Sequence, residues 1–125
     1  MTENEIGSAN IACAMTVHSK VGPGLLEGAY ELCLAYELEK NGLRVRQQVL
    51  FPLRYGDIFI DNGYRMDLLV NEAVVVELKA TETILPVHLA QVLSYLRLGG
   101  FKLGYLLNFH VAHMRDGIKR IANGL

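Results

Sequence analysis

The chain predicts an α/β sandwich built around one mixed sheet. Three observations carry this. Two stretches of helical periodicity open the chain, a block of β-branched and aromatic segments fills its middle, and a further helix separates that block from one more apolar strand. Strands that follow one another directly are expected to pair antiparallel, whereas the strand reached through the helix can lie parallel to its neighbour.

The elements follow in order. From about Glu3 to Lys20, Ile6, Ala9, Cys13 and Val17 fall three and four apart, the period of a one-sided helix. Gly22-Pro23-Gly24 cannot continue it. A second helix is expected over Leu25 to Lys40, with a stop at Asn41-Gly42. Arg44 to Tyr55, carrying Val45, Val49 and Phe51, reads as a strand, and Ile58 to Asp61 as a short one before a turn at Asn62-Gly63. Tyr64 to Val70 and Ala73 to Ala80 form a central strand pair with a tight connection near Asn71-Glu72. Leu85 to Leu98 returns to helix, with Pro86 in the first turn and Gly99-Gly100 past the end. Lys102 to Phe109 is a further buried strand, and Met114 to Ala122 is open to an edge strand, a short helix or a loop.

With 125 residues, 51% of them hydrophobic and 20% charged, the chain is expected to fold as a single domain over residues 1–125. No apolar run approaches the ~20 residues of a membrane span, and the start MTENEIGSAN is polar and acidic, unlike a secretory signal. Cys13 and Cys33 sit among Ala, Leu and Met in helical patterns, where a free thiol packs as a small hydrophobe. A soluble, cytoplasmic protein is the expectation. His110 and His113 are a lone pair with no second half, too few for structural zinc. A net charge of −1 and a pI of about 6.4 do not announce a nucleic-acid binder through bulk charge. Basic residues do gather at Lys40, Arg44, Arg46, Arg54 and Arg65, and at Arg115, Lys119 and Arg120.

The chemistry concentrates in VVVELKA, Val74 to Ala80, an apolar strand that nevertheless carries Glu77 and Lys79. Strand alternation puts Val75, Glu77 and Lys79 on one face, and Arg65, Asp67 and Leu69 on one face of the preceding strand, with Met66, Leu68 and Val70 on the other. That charged face is either solvent-exposed sheet or a site, and register decides. A three-residue connection, Asn71-Glu72-Ala73, pairs Val70 with Val74 and sets Asp67 opposite Glu77; a two-residue turn would put the carboxylates on opposite faces. The odd connection is expected. Two opposed carboxylates repel and call for a cation, and oxygen ligands suit Mg²⁺ or Mn²⁺.

Asp67, nine residues, then Glu77-Leu78-Lys79 resembles the core of the PD-(D/E)xK nuclease superfamily. Glu27 on the helix before the strands supports the likeness, and Gln91 to Tyr95 on the helix after them resembles the QxxxY element of the RecB-like branch. The span Gly24 to Tyr30, GLLEGAY, with His18 before it and Gly104 to Phe109, GYLLNF, after it, resembles the GxxExxY family assigned to that superfamily. The likeness covers nearly the whole chain. Met66 departs from it, standing where proline is frequent.

The resemblance implies a three-layer α/β/α, restriction-endonuclease-like fold with a central mixed sheet flanked by helices. It implies that Asp67, Glu77 and the Leu78 backbone carbonyl ligate Mg²⁺ or Mn²⁺, with Glu27 supporting the metal directly or through water. Lys79 takes the part of the catalytic lysine. Gln91 assists, and Gln91 and Tyr95, one turn apart, line the site. His88 lies on their stripe, opposite the Leu85, Leu89, Val92 and Leu96 face expected to pack on the sheet. Arg65 either contacts phosphate or neutralises Asp67, and Tyr30 is a core or substrate-pocket aromatic. Bland readings stand beside these: Glu27 also suits the dipole of a helix start, and His18 suits a structural role. Two function classes are open. One is a metal-dependent nuclease acting on DNA or RNA; the other is a non-catalytic module of the same fold that binds nucleic acid or a protein. The small, near-neutral surface points to a homodimer or a partner for gripping a polymer.

Overall fold

The computed structural model describes residues 1–125. Two helices, α1 (Glu3–Val21) and α2 (Glu27–Lys40), precede three strands, β1 (Val45–Tyr55), β2 (Ile58–Val70) and β3 (Val74–Lys79). Helix α3 (Pro86–Gly99), β4 (Leu103–Asn108), a 3₁₀ turn (Met114–Gly117) and β5 (Ile118–Ala122) complete the chain. The strands lie in sequence order in a single sheet, with β3 and β4 parallel and every other pair antiparallel. No helix is long and apolar enough to cross a membrane.

The layers are those expected. On one face α1 and α2 pack Ile6, Val17, Leu34 and Leu38 against Leu68, Val70, Val76, Leu78 and Leu107. On the other, α3 packs Val92 and Leu96 against Val49, Leu69, Val75 and Leu106. Helix α1 starts on a capping box, in which Thr2 accepts from the Glu5 amide while Glu5 accepts from the Thr2 amide. Helix α3 ends on Gly100 at φ +74°, a left-handed residue that glycine supplies without strain. Both cysteines are free thiols.

The structure corrects several boundaries. Helix α2 begins at Glu27, not Leu25, because the Leu25 amide donates to the Tyr30 hydroxyl and Leu26 stays extended at ψ 149°. The turn expected at Asn62-Gly63 lies instead between Tyr55 and Ile58, with Gly56 at φ +57°. Gly63 sits inside the continuous β2, pressed so closely against Leu53 that a Cβ there would collide with it. The register shifts between Phe51 and Leu53 at this point, so the glycine marks a bulge. The tail holds two of its possibilities in succession, a 3₁₀ turn and then an edge strand.

Candidate active site

The odd connection is present. Asn71 and Glu72 both take positive φ, the Ala73 amide donates to the Val70 carbonyl, and Val70 pairs with Val74. Leu68 opposite Val76 is the last regular pair of β2 and β3, and Asp67 and Glu77 stand one step beyond it. There the strands part, and side chains take over the ladder. The Asp67 amide donates to Glu77 Oε1 at 3.1 Å, and the Leu78 amide donates to Asp67 Oδ2 at 3.0 Å. Each carboxylate thus satisfies an amide that the divergence would have left bare.

Strict alternation fails at the same place, which corrects the expected grouping of Met66 with Leu68 and Val70. Met66 and Leu69 belong to the α3-side core, whereas Leu68 and Val70 belong to the α1/α2 side. Strand β1 switches with its partner: Val45 packs on the α1/α2 side and Val49 on the α3 side. The residue between them, Gln48, adopts φ +52°, rare for a side-chain-bearing residue and costly by about 1 kcal/mol. Its side-chain amide bridges two carboxylates, donating to Glu31 Oε1 at 2.6 Å and Asp67 Oδ1 at 3.3 Å.

Helices from both layers reach this end of the sheet. Glu27 is the first residue of α2, and Glu31 follows one turn later on the same side. Burial raises the Glu27 carboxyl above its usual range; the Lys79 ammonium opposes that rise, Asp67 adds to it, and His88 opposes it. Burial also raises Glu31, with the Gln48 hydrogen bond opposing and Asp67 and Glu27 adding. From α3, Gln91 donates to the Tyr95 hydroxyl at 2.8 Å, and Tyr95 stacks on Tyr64 with centroids 5.0 Å apart. Burial, and next the Glu77 charge, raise the Tyr95 hydroxyl. His88 Nδ1 accepts from the Leu85 amide at 3.0 Å, which places the proton of a neutral ring on Nε2. Lys79 ends β3, where the Phe109 amide donates to its carbonyl.

Glu77 is the anomaly of the group. Only 5% exposed, its carboxyl is pushed up to about 9, first by burial and second by Asp67, with Lys79 pulling the other way. Besides the Asp67 amide on Oε1, it shares a side-chain hydrogen bond with Asp67 that favours the protonated carboxyl. The fit to a hard cation follows from this donor set. All candidate ligands are oxygens, and a dication is the charge that would return Glu77 to its ionised form. No three His, Cys, Asp or Glu side chains gather closely enough to form a cage by themselves. Two carboxylates with the remaining positions left to water and phosphate oxygens is how Mg²⁺ is commonly held.

The structure therefore brings Asp67, Glu77, Lys79, Glu27, His88, Gln91 and Tyr95 to one end of the sheet, and Arg65 close enough to act on the charges of Glu31 and Tyr95. Tyr30 is corrected. It is wholly buried, stacks on Phe109 at 4.5 Å and donates from its hydroxyl to the Gly22 carbonyl at 2.6 Å, so it braces the loop before α2 instead of lining a substrate pocket. Leu85 is exposed rather than packed on the sheet. His18 is structural, its Nε2 lying 2.8 Å from the Val111 carbonyl.

Three residues escaped sequence reasoning. Glu31 was within reach, being one turn after Glu27. Gln48 had no signal, because its role comes from backbone conformation. Asn108 is buried at the end of β4, where it accepts from the Thr81 and His110 amides and donates to the Thr81 carbonyl, pinning the chain just beyond Lys79.

A sequence profile described as the PD-(D/E)XK nuclease superfamily matches residues 4–121. No curated protein and no solved structure gives a match. The match spans almost the whole chain and includes every residue placed at the sheet end above, so the chain belongs to the PD-(D/E)XK nuclease superfamily.

Proposed function

We propose that this domain is a divalent-metal-dependent nuclease of the GxxExxY family, on the RecB-like QxxxY branch, hydrolysing phosphodiester bonds of DNA or RNA with Mg²⁺ or Mn²⁺. The observation that carries the reading is the Asp67–Glu77 pair, two carboxylates held rigidly by each other's strands with Lys79 two residues beyond. Asp67 and Glu77 hold the ion, with the Leu78 carbonyl and Glu27 as supporting ligands. The bound ion supplies Lewis-acid stabilisation of phosphate charge and lowers the pKa of water.

The chain's own groups do the rest. Lys79 places a positive charge beside the developing phosphate charge and orients the attacking water. Gln91 fixes the Tyr95 hydroxyl, which together with His88 Nε2–H offers donors to the sugar-phosphate backbone. Arg65 serves as a phosphate contact.

A second reading rests on a specific observation. Both Asp67 oxygens already accept hydrogen bonds, and no three-ligand cage is assembled, which also suits a module that binds nucleic acid or a protein without cutting. Incubation of plasmid, single-stranded DNA and RNA with Mg²⁺, Mn²⁺ or chelator, beside Lys79→Ala, tests the two. Metal-dependent cleavage lost in the variant supports the nuclease; a folded, metal-binding wild type that cleaves none of them supports the binding module.

A further inference from the structure

The largest cavity of the molecule, about 650 Å³, includes none of the residues gathered around Asp67 and Glu77. Its walls are the last turns of α1, the Gly22-Pro23 turn and the segment from Ala112 to Arg115. No acidic side chain lines it, although the chain as a whole carries a net charge of −1. Its polar side chains are His18, Ser19, His113 and Arg115. His18 is spent on the wall, where its Nε2 lies 2.8 Å from the Val111 carbonyl. The other three have no hydrogen-bond or ion-pair partner within the chain, whereas Lys20 pairs with Glu37, Arg46 with Glu72, and Arg120 donates to Asn4.

The cavity lies at the same end of the sheet as the carboxylates. Strands β3 and β4 run parallel with Lys79 beside Asn108, and the segment that reaches the cavity leaves from there, with the Phe109 amide on the Lys79 carbonyl. Pro23 comes four residues before Glu27, so their Cα atoms are at most about 14 Å apart, a reach of a few nucleotides. The 3₁₀ turn that presents Arg115 is held firmly: Met114 is buried in the core, and Gly117 lies so close to the Asn108 carbonyl that no Cβ fits there.

We propose that this cavity is a phosphate subsite of the nucleic-acid track, in which Arg115, His113 and Ser19 hold a backbone phosphate a few nucleotides from the scissile bond. The polymer is taken from the nuclease reading, on which the proposal rests; the subsite itself is placed by the cavity's own donors. A phosphodiester oxygen only accepts, and donors without a carboxylate among them match it. Asp116, next to Arg115 in sequence, stays outside the lining. The end of α1 brings about half a negative charge towards the cavity, but the full charge of Arg115 outweighs it, and the Gly22 amide already caps the His18 carbonyl at 2.8 Å.

Fluorescence anisotropy of the full chain with labelled single-stranded DNA and RNA oligonucleotides, over a salt series in chelator so that nothing is cut, tests this. Arg115→Gln is expected to weaken binding several-fold and to lower the salt slope by about 0.7, the share of one phosphate contact on a single strand. Arg97→Gln, which removes the same charge from the last turn of α3, is expected to match wild type. In the wild type, the amide resonances of Ser19, His113 and Arg115 are expected to shift on adding the oligonucleotide. Binding of this kind by a protein that never cleaves would count against the nuclease reading and leave the subsite standing. An unchanged slope in Arg115→Gln, an equal loss in Arg97→Gln, or resonances that do not move would overturn the subsite even in a protein that cuts, and a folded wild type that binds neither DNA nor RNA would overturn both.

Discussion

Asp67 and Glu77 face each other where β2 and β3 separate: Glu77 accepts the Asp67 amide, and Asp67 accepts the amide of Leu78, next to Glu77. The two acids are therefore structural and chemical at once. They close the backbone hydrogen bonding at the end of the sheet, and the cost is a carboxyl driven up to about 9.

Removing Asp67 should weaken the fold as well as the site. Asp67→Ala strips the acceptor from the amide of the buried Leu78, with an expected loss of about 1–3 kcal/mol, the cost of a buried donor left unpaired. Denaturant unfolding of variant and wild type gives the figure, and an unchanged midpoint would show that water replaces the carboxylate freely.

The raised Glu77 carboxyl makes stability depend on pH. The folded chain holds this proton more tightly than the unfolded chain, so the associated stability is complete below about pH 4.5 and is lost as pH climbs towards about 9. Thermal unfolding in chelator should show that decline, and Glu77→Gln should flatten it. Equal slopes in the two proteins would assign the pH dependence elsewhere.

Gln48 separates strain from function. Gln48→Gly relieves the positive φ but deletes the amide that bridges Glu31 and Asp67, so stability should change by less than about 1 kcal/mol. Mn²⁺ affinity should nonetheless fall several-fold, because Asp67 loses a restraint on its rotamer. Unfolding and metal titration on the same preparation check both, and unchanged affinity would reduce Gln48 to a backbone curiosity.

Asn108 supports the chain after Lys79. Asn108→Ala removes two acceptances and one donation in a buried position, and leaving one of those polar groups bare should cost about 1–3 kcal/mol. Loss of amide protection concentrated at Thr81 and His110 would confirm the brace, whereas a uniform loss would not.

Much of this was legible in the sequence, for identifiable reasons. The helices α1 and α3 and the crossover to β4 were readable because their periodicity and glycine stops agree with the packing they enter. The register that opposes Asp67 to Glu77 was readable because an odd connection fixes parity. The failures came where a backbone departs from ideal alternation. Asn62-Gly63 looks like a hairpin turn but is a bulge fitted against Leu53, and the face switch at Gln48 and Asp67 leaves no mark in a hydrophobic pattern. Tyr30 misled for another reason: a tyrosine beside a catalytic motif can equally be a core ring whose hydroxyl ties down a loop.

The most direct test of the central claim does not need the substrate. Calorimetric titration of the metal-free protein with Mn²⁺ at neutral pH, repeated in buffers of different ionisation enthalpy, reads both ion binding and the proton released from Glu77. A site with two carboxylate ligands predicts binding accompanied by release of about one proton per ion, with both signals lost in Glu77→Gln. Binding that survives Glu77→Gln with the same proton count, or no binding by a folded wild type, would contradict the assignment of Asp67 and Glu77 as the metal centre.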